Sequence, residues 1–442
     1  MALIALLTIA LLLGGGGQRY ALANLCVQLA ALGLLALHPS PAIGFWRSSP
    51  LALRILVAFS MLLPLAQIIP LPEAIWAALP GRELIAQGLN EADQSGWRPI
   101  SLFPHRTLLA FTGLIVPVTI LMAGWSLRRD QLIVLAWAIV AFGLVNLFLG
   151  AVQIASAAYP TLWVHDELDV DFMVGTFANR NSTGVFLVGA LGFAALAPVP
   201  MERPHPAVLP LRLMACVLIV LAIVLTQSRT SLVLCAIPLA LGGVRIIAWG
   251  FARGRPHSAA HPRARPAVLA GAALALAALV LIGLILAAPG RIAQTVDRFD
   301  NLADDARAYI WEDAGYAVSR YWPVGAGMGT FDEVFQLDEA LENITERRAG
   351  RAHNDYLEVA IEAGIAGLAV AAAWLLLIAW FAWRARSARL RWLAWGAGAF
   401  LLAAALQSIT DYPFRNQTNL AIGALCVLIL ARLAARSESK NP

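Results

Sequence analysis

Runs of about 20 consecutive apolar residues recur along this chain, each long enough to cross a hydrocarbon core about 30 Å thick as a helix. Few folds accommodate them. Inside a bilayer no water satisfies the backbone, so a spanning segment must close its hydrogen bonds within itself, as a helix does. Of the 442 residues 60% are apolar and 13% charged, which is enough to build about twelve such spans. The chain reads as an all-α polytopic membrane protein with about 12 transmembrane helices in a single transmembrane domain, residues 1–442. Spans are expected near 1–16, 18–37, 50–69, 106–125, 131–152, 176–197, 210–226, 230–248, 267–288, 356–382, 392–409 and 417–434. The first is short, but it lacks the basic start and cleavage pattern of a signal peptide.

The distribution of charge sets orientation. With the amino terminus, the connections after even-numbered spans and the carboxyl tail on one face, that face carries 18 Arg or Lys against three acids. The other face keeps 14 Arg and 24 Asp or Glu. By the positive-inside rule the basic face is cytoplasmic and both termini lie there. The outer face then holds the long connections, near 70–105, 153–175 and 289–355. The last, inserted between the ninth and tenth spans, contains Trp311, Trp322 and a Gly-rich stretch and is expected to fold as a helical cap. All but one of the 32 cations are Arg, scattered between apolar runs, so the net charge of +5 does not mark a nucleic-acid partner. The four cysteines, Cys26, Cys216, Cys235 and Cys426, sit within apolar segments at spacings that suit neither a disulfide framework nor a metal.

Ionisable groups near membrane depth are costly and therefore informative. Four outer junctions carry them: Phe177–Thr183 entering the sixth span, Thr226–Thr230 entering the eighth, Arg351–Glu358 entering the tenth and Asp411–Asn416 entering the twelfth. In this topology every even-numbered helix points its amino end outward, presenting unpaired N–H groups and a partial positive charge. Asn181 or Ser182, Ser228, Asp355 and Asn416 are the candidate N-caps, and Asp355 with Glu358 has the shape of a capping box. If the helices cluster, Arg180, Arg229, Arg351 and Arg415 join four positive helix ends in one anion site, and Arg suits bidentate phosphate contact. A boundary Arg also serves as a snorkelling anchor. Arg229, in a connection of a few residues between two apolar spans, needs a counter-anion: bound phosphate or an outer acid such as Asp411. His353 stands beside this site and can act as a general base; capping or packing is its simpler role. The other six histidines show no pairing that suggests a metal.

Other features carry less. Gly325, Gly327 and Gly329 lack the flanking strand of a dinucleotide fingerprint and read as a tight turn. Asp166, Glu167, Asp169 and Asp171 read as a solvated acidic loop, and the Ala-, Pro- and Arg-rich segment 252–266 as a linker.

Taken together, several elements resemble the O-antigen ligase family, which includes related polysaccharide polymerases of the bacterial envelope. They are Phe-x-Asn-Arg-Asn at 177–181, Ser228-Arg229, Arg307 and Trp311 with Gly-x-Gly-x-Gly-Thr-Phe at 325–331, and Arg-x-His-Asn-x-Tyr-Leu-Glu at 351–358 followed by Gly364, Ile365 and Gly367. The resemblance runs over residues 170 to 420; before residue 150 only the hydropathy matches. It implies a metal-independent inverting glycosyltransferase on the periplasmic side of the inner membrane, moving a glycan from undecaprenyl pyrophosphate to a hydroxyl. The acceptor is lipid A core in a ligase and another lipid-linked glycan in a polymerase. By motif, Arg180 and Arg229 hold the pyrophosphate and His353 deprotonates the acceptor, with Arg351, Arg415 and Asn354 adjoining. Asn181, Ser228, Asn354 and Asp355 are the supporting residues, and no cofactor or metal is implied. Thr230 stands where many relatives have Gly. A different class, an anion transporter, ordinarily places charge near the bilayer midplane in repeated halves. Here the halves do not repeat, and Glu358 and Glu362, the nearest candidates, can instead pair with an Arg.

Overall fold

A computed structural model of the chain describes residues 2–17, 20–155, 172–200, 207–253, 307–344 and 348–435. The expected ninth span at 267–288, the first part of the expected cap (289–306), the acidic residues at 166–171 and most of the basic linker (254–266) lie outside the described residues. A helix occupies each of the other expected spans. Among the described residues the strands are one two-residue antiparallel pair, Pro70–Leu71 with Arg98–Pro99. Among the described residues six helices are long and apolar enough to cross a membrane, or seven when Ala21–Leu37 and Pro39–Ser48, meeting at 82°, count as one bent span. Ala2–Leu13 is apolar but, at about 1.5 Å per residue, covers only about 18 Å.

The Arg180–Leu196 helix lies at the centre of the bundle and is buried along almost its whole length. It packs against the Arg129–Ala155, Val208–Leu225, Ala236–Arg253 and Arg391–Gln407 helices. A helix apolar on every face can be surrounded in this way, and its glycines let neighbours approach closely. A Cβ on Gly189 would stand 2.5 Å from the Phe400 ring, and one on Gly184 would strike Ser231. The Gln417–Ala435 helix is similarly enclosed.

Outside the bundle the described part of the cap is helical, as expected. The Arg307–Tyr321 helix and the short Phe331–Val334 helix enclose a small core of Ala314, Ala317, Tyr321, Phe331, Val334 and Phe335, completed by Ile361 of the Asp355–Ala385 helix. Arg82, fully buried, ties the 70–105 connection to this cap. Its guanidinium donates to the carbonyls of Pro80, Ile100 and Gly325 and lies over the Tyr321 ring. Burial lowers its pKa to about 10, against the opposing pull of Tyr321 and Glu83.

The Asp355–Ala385 helix is interrupted at Gly364, whose φ of 54° and ψ of −142° are not helical. The break frees carbonyls that need donors. The Gly-rich stretch supplies them: Ala326 N–H donates to the Ile361 carbonyl and Gly327 N–H to the Glu362 carbonyl, both at 2.8 Å, while Ile365 N–H donates to the Pro323 carbonyl at 3.0 Å. Gln67 Nε2 adds a bond to the Glu362 carbonyl at 3.0 Å. Gly325, Gly327 and Gly329 all have positive φ, and a Cβ on Gly364 would strike the Pro323 carbonyl. The Gly-x-Gly-x-Gly element is therefore a strap laid across a broken helix.

Candidate active site

Each of the four junctions starts a helix, but the caps differ from expectation at two of them. Asn179, not Asn181 or Ser182, caps the Arg180 helix, its side chain accepting from Asn181 N–H at 2.7 Å. The helix begins at Arg180, ahead of both candidate caps, which places Asn181 and Ser182 inside its first turn. Asn354, not Asp355, caps the Asp355 helix and accepts from Tyr356 and Leu357 N–H. Glu358 reaches back to Ala352 N–H at 3.0 Å, two residues before the cap and so farther than in a standard capping box. Ser228 accepts from Ser231 N–H, and Asn416 from Asn419 N–H, as expected. Both Gln227 (φ 52°) and His353 (φ 51°) precede an N-cap in the left-handed region, a conformation costly for non-glycine residues and frequent at functional sites.

These helix starts converge on one ten-residue turn, 407–416. Gln407 Nε2 donates to the Asn181 carbonyl at 2.8 Å, and its Oε1 accepts from Ser231. Ser408 donates to Asp355, Thr410 meets Thr230 at 3.3 Å, and Asn416 donates to Ser182. Tyr412 accepts from Asn179 Nδ2 at 3.0 Å. The sequence marks this turn as one junction among four; its role as their common hub depends on contacts between residues up to 234 apart and has no local signature.

His353 faces this turn. Its Nδ1 lies 3.3 Å from Asp411 Oδ1, and its ring packs on Tyr412 with centroids 5.1 Å apart. Asp411 is 3% exposed and His353 32% exposed, so the carboxylate is enclosed while the imidazole keeps an open face. With Asp411 on Nδ1–H, the Nε2 lone pair is left for a substrate proton. Burial, and then Asp411, push the Tyr412 phenol well above its usual pKa, keeping it neutral. Asp411 and Tyr412 are the site residues that sequence reasoning missed; Asp411 entered only as a possible counter-charge for Arg229.

The four arginines divide into two pairs. Arg180 stacks over Phe172 at 4.6 Å, and its Nη1 is buried with no hydrogen-bond partner. Arg229 opens the next helix to arrive, directly after its cap. Arg351 and Arg415, expected as open anion ligands, are instead committed to carboxylates. Arg351 pairs with Glu358 at 3.1 Å and lies over the Tyr412 ring. Arg415 pairs with Asp355, Glu358 and Glu362 at 3.0 to 3.1 Å. Burial alone would lower the Arg415 pKa, but Glu362, Glu358 and Asp355 hold it well above the usual value. The expectation that Glu358 and Glu362 pair with an Arg is met.

Beside this ion cluster opens a cavity of about 840 Å³, mostly apolar in lining. Arg351, Asp355 and Arg415 stand at its charged end, and Val370, Ile378 and Val427 line it farther along. The lining follows the Asp355–Ala385 helix from Asp355 past the Gly364 break to Ile378.

No curated protein matches the chain. Residues 214–372 match the family model described as O-antigen ligase. That segment is narrower than the stretch over which the motifs resemble the family: it takes in Ser228-Arg229, the strap, His353 and Gly364, and leaves Arg180 and the 407–416 turn outside. By this match the chain is similar to the O-antigen ligase family over the segment that delivers His353 and Arg229 to the hub.

Proposed function

We propose that the chain is an inverting, metal-independent glycosyltransferase that moves a glycan from undecaprenyl pyrophosphate to a hydroxyl of lipid A core. It works on the periplasmic face of the bacterial inner membrane, with both termini cytoplasmic and 289–355 as a periplasmic cap. The observation that carries the reading is the His353–Asp411 contact at a turn where four helix amino ends meet.

His353 Nε2 takes the proton of the acceptor hydroxyl while Asp411 stabilises the forming imidazolium. The acceptor oxygen bonds to the anomeric carbon from the face opposite the leaving group. The bond from that carbon to the pyrophosphate breaks, and its electron pair departs on undecaprenyl pyrophosphate. Arg180, whose Nη1 has no protein partner, and Arg229 meet the growing charge together with the helix N–H groups, favouring the transition state over the ground state. Arg351 and Arg415 hold the Asp355 helix in place through its carboxylates. The apolar cavity, with its charged end beside Arg351, suits the polyprenyl tail.

His353→Ala and Arg229→Ala are expected to abolish transfer in a reconstituted assay while the protein still inserts; wild-type rates for both would overturn the reading. A polymerase would use the same donor chemistry with a second lipid-linked glycan as acceptor. Lipopolysaccharide from a deletion strain separates the two: unattached full-length chains indicate a ligase, and core bearing one repeat indicates a polymerase. The paired state of Glu358 and Glu362 with Arg415 weighs against their use as transporter charges.

A further inference from the structure

The carboxyl end of the central Arg180–Leu196 helix is closed by side chains from three neighbouring helices. Trp137 Nε1 donates to the Pro198 carbonyl at 2.8 Å. Arg212 donates to the carbonyls of Ala195 (3.4 Å) and Ala197 (2.7 Å), and Arg245 donates to the same two, at 2.8 and 3.5 Å. Each carbonyl has one donor at normal length, Ala197 from Arg212 and Ala195 from Arg245, so capping engages one side of each guanidinium and leaves the Nε of both and Arg245 Nη2 without a protein acceptor among the described residues.

Charge makes the duplication costly. A helix carboxyl end offers about half a negative charge, against two full positive charges bonded to the same oxygens. Among the described residues no carboxylate pairs with either arginine. Their remaining nitrogens are not sealed from solvent, and the Arg212 guanidinium lies over the Trp137 ring at 5.2 Å. Seventeen residues of helix, about 25 Å, separate this end from Arg180, which puts the pair at the opposite membrane boundary from the hub. Phospholipid headgroups lie at such a boundary, and Trp is a characteristic boundary residue.

We propose that Arg212 and Arg245 form a binding site for the phosphate of an anionic phospholipid, with Trp137 beside its headgroup. Two guanidinia supply bidentate donors to one phosphate, and basic pockets between spanning helices hold anionic lipid headgroups by this means. The site is separate from the transfer chemistry and stands whether or not that reading holds.

The test uses the full chain, delipidated in detergent and titrated with phosphatidylglycerol or phosphatidylcholine, with bound lipid counted by native mass spectrometry. Wild type is expected to retain phosphatidylglycerol in preference to phosphatidylcholine. Arg212→Gln and Arg245→Gln, each leaving one arginine on the carbonyls, should fold and lose about five- to ten-fold in phosphatidylglycerol affinity. Equal retention of the two lipids by wild type, or undiminished phosphatidylglycerol affinity in both variants, overturns the proposal. So does inorganic phosphate displacing the lipid at equal concentration, which would mark a site for the free anion. Should either glutamine variant fail to fold, Arg212→Lys and Arg245→Lys, which keep a cationic donor on the carbonyls and lose the bidentate fork, are read by the same criterion.

Discussion

Asp411 offers one carboxylate oxygen to His353 Nδ1 at 3.3 Å and keeps the other buried with no hydrogen-bond partner. An enclosed carboxylate so placed fixes the imidazole tautomer. Asp411→Asn keeps the shape and removes the charge, so kcat should fall by about 10² to 10⁴-fold with KM little changed. Steady-state kinetics on a lipid-linked donor decide this. A raised KM with an intact kcat would make Asp411 a substrate contact instead.

Arg415 sits among three carboxylates, and its removal leaves them facing one another with little solvent. Arg415→Met should destabilise the protein by about 3 to 5 kcal/mol, as expected when one partner of a buried ion cluster is lost. Adding Glu362→Gln should recover part of that loss. Thermal unfolding of the purified variants in one detergent provides the measurement.

Gly364 and Gly398 form a matched pair of helix-embedded glycines. At Gly364 an alanine meets a positive φ and the Pro323 carbonyl; at Gly398 nothing lies within 4 Å. Gly364→Ala should cost at least about 1 to 3 kcal/mol, whereas Gly398→Ala should be neutral or stabilising by up to about 1 kcal/mol. Unfolding temperatures that fall equally in both would refute the strained break.

Ala371 lines the apolar cavity. If that space takes the polyprenyl tail, Ala371→Trp should lower kcat/KM at least about ten-fold for a long-chain donor, the effect of about 1.4 kcal/mol, and spare a short-chain analogue. Equal losses on both donors would place the tail elsewhere.

The spans were legible because each apolar run reports its own length, and the four charged junctions because an ionisable group beside such a run is conspicuous. Their convergence was arguable from helix direction alone: every helix that runs the same way presents the same kind of end. Which carboxylate meets which arginine was not legible. Arg415 finds Glu362 across 53 residues of sequence, and nothing in either neighbourhood separates it from Arg351 as an anion ligand. The Asn179 cap was missed because Asn179 and Asn181 are chemically equivalent, and only the first turn of the helix distinguishes them. The strap was misread as a turn because its partner, a helix broken at Gly364, lies more than 30 residues away and still looks continuous in hydropathy.

The strap also fixes the cap over the break at Gly364. Residues 323–327 exchange three backbone hydrogen bonds with the interrupted helix, and swinging the strap outward would strand those polar groups. Each stranded group costs about 1 to 3 kcal/mol, so the cap is riveted, not hinged. On the proposed function, donor and acceptor would have to reach His353 with this strap still in place.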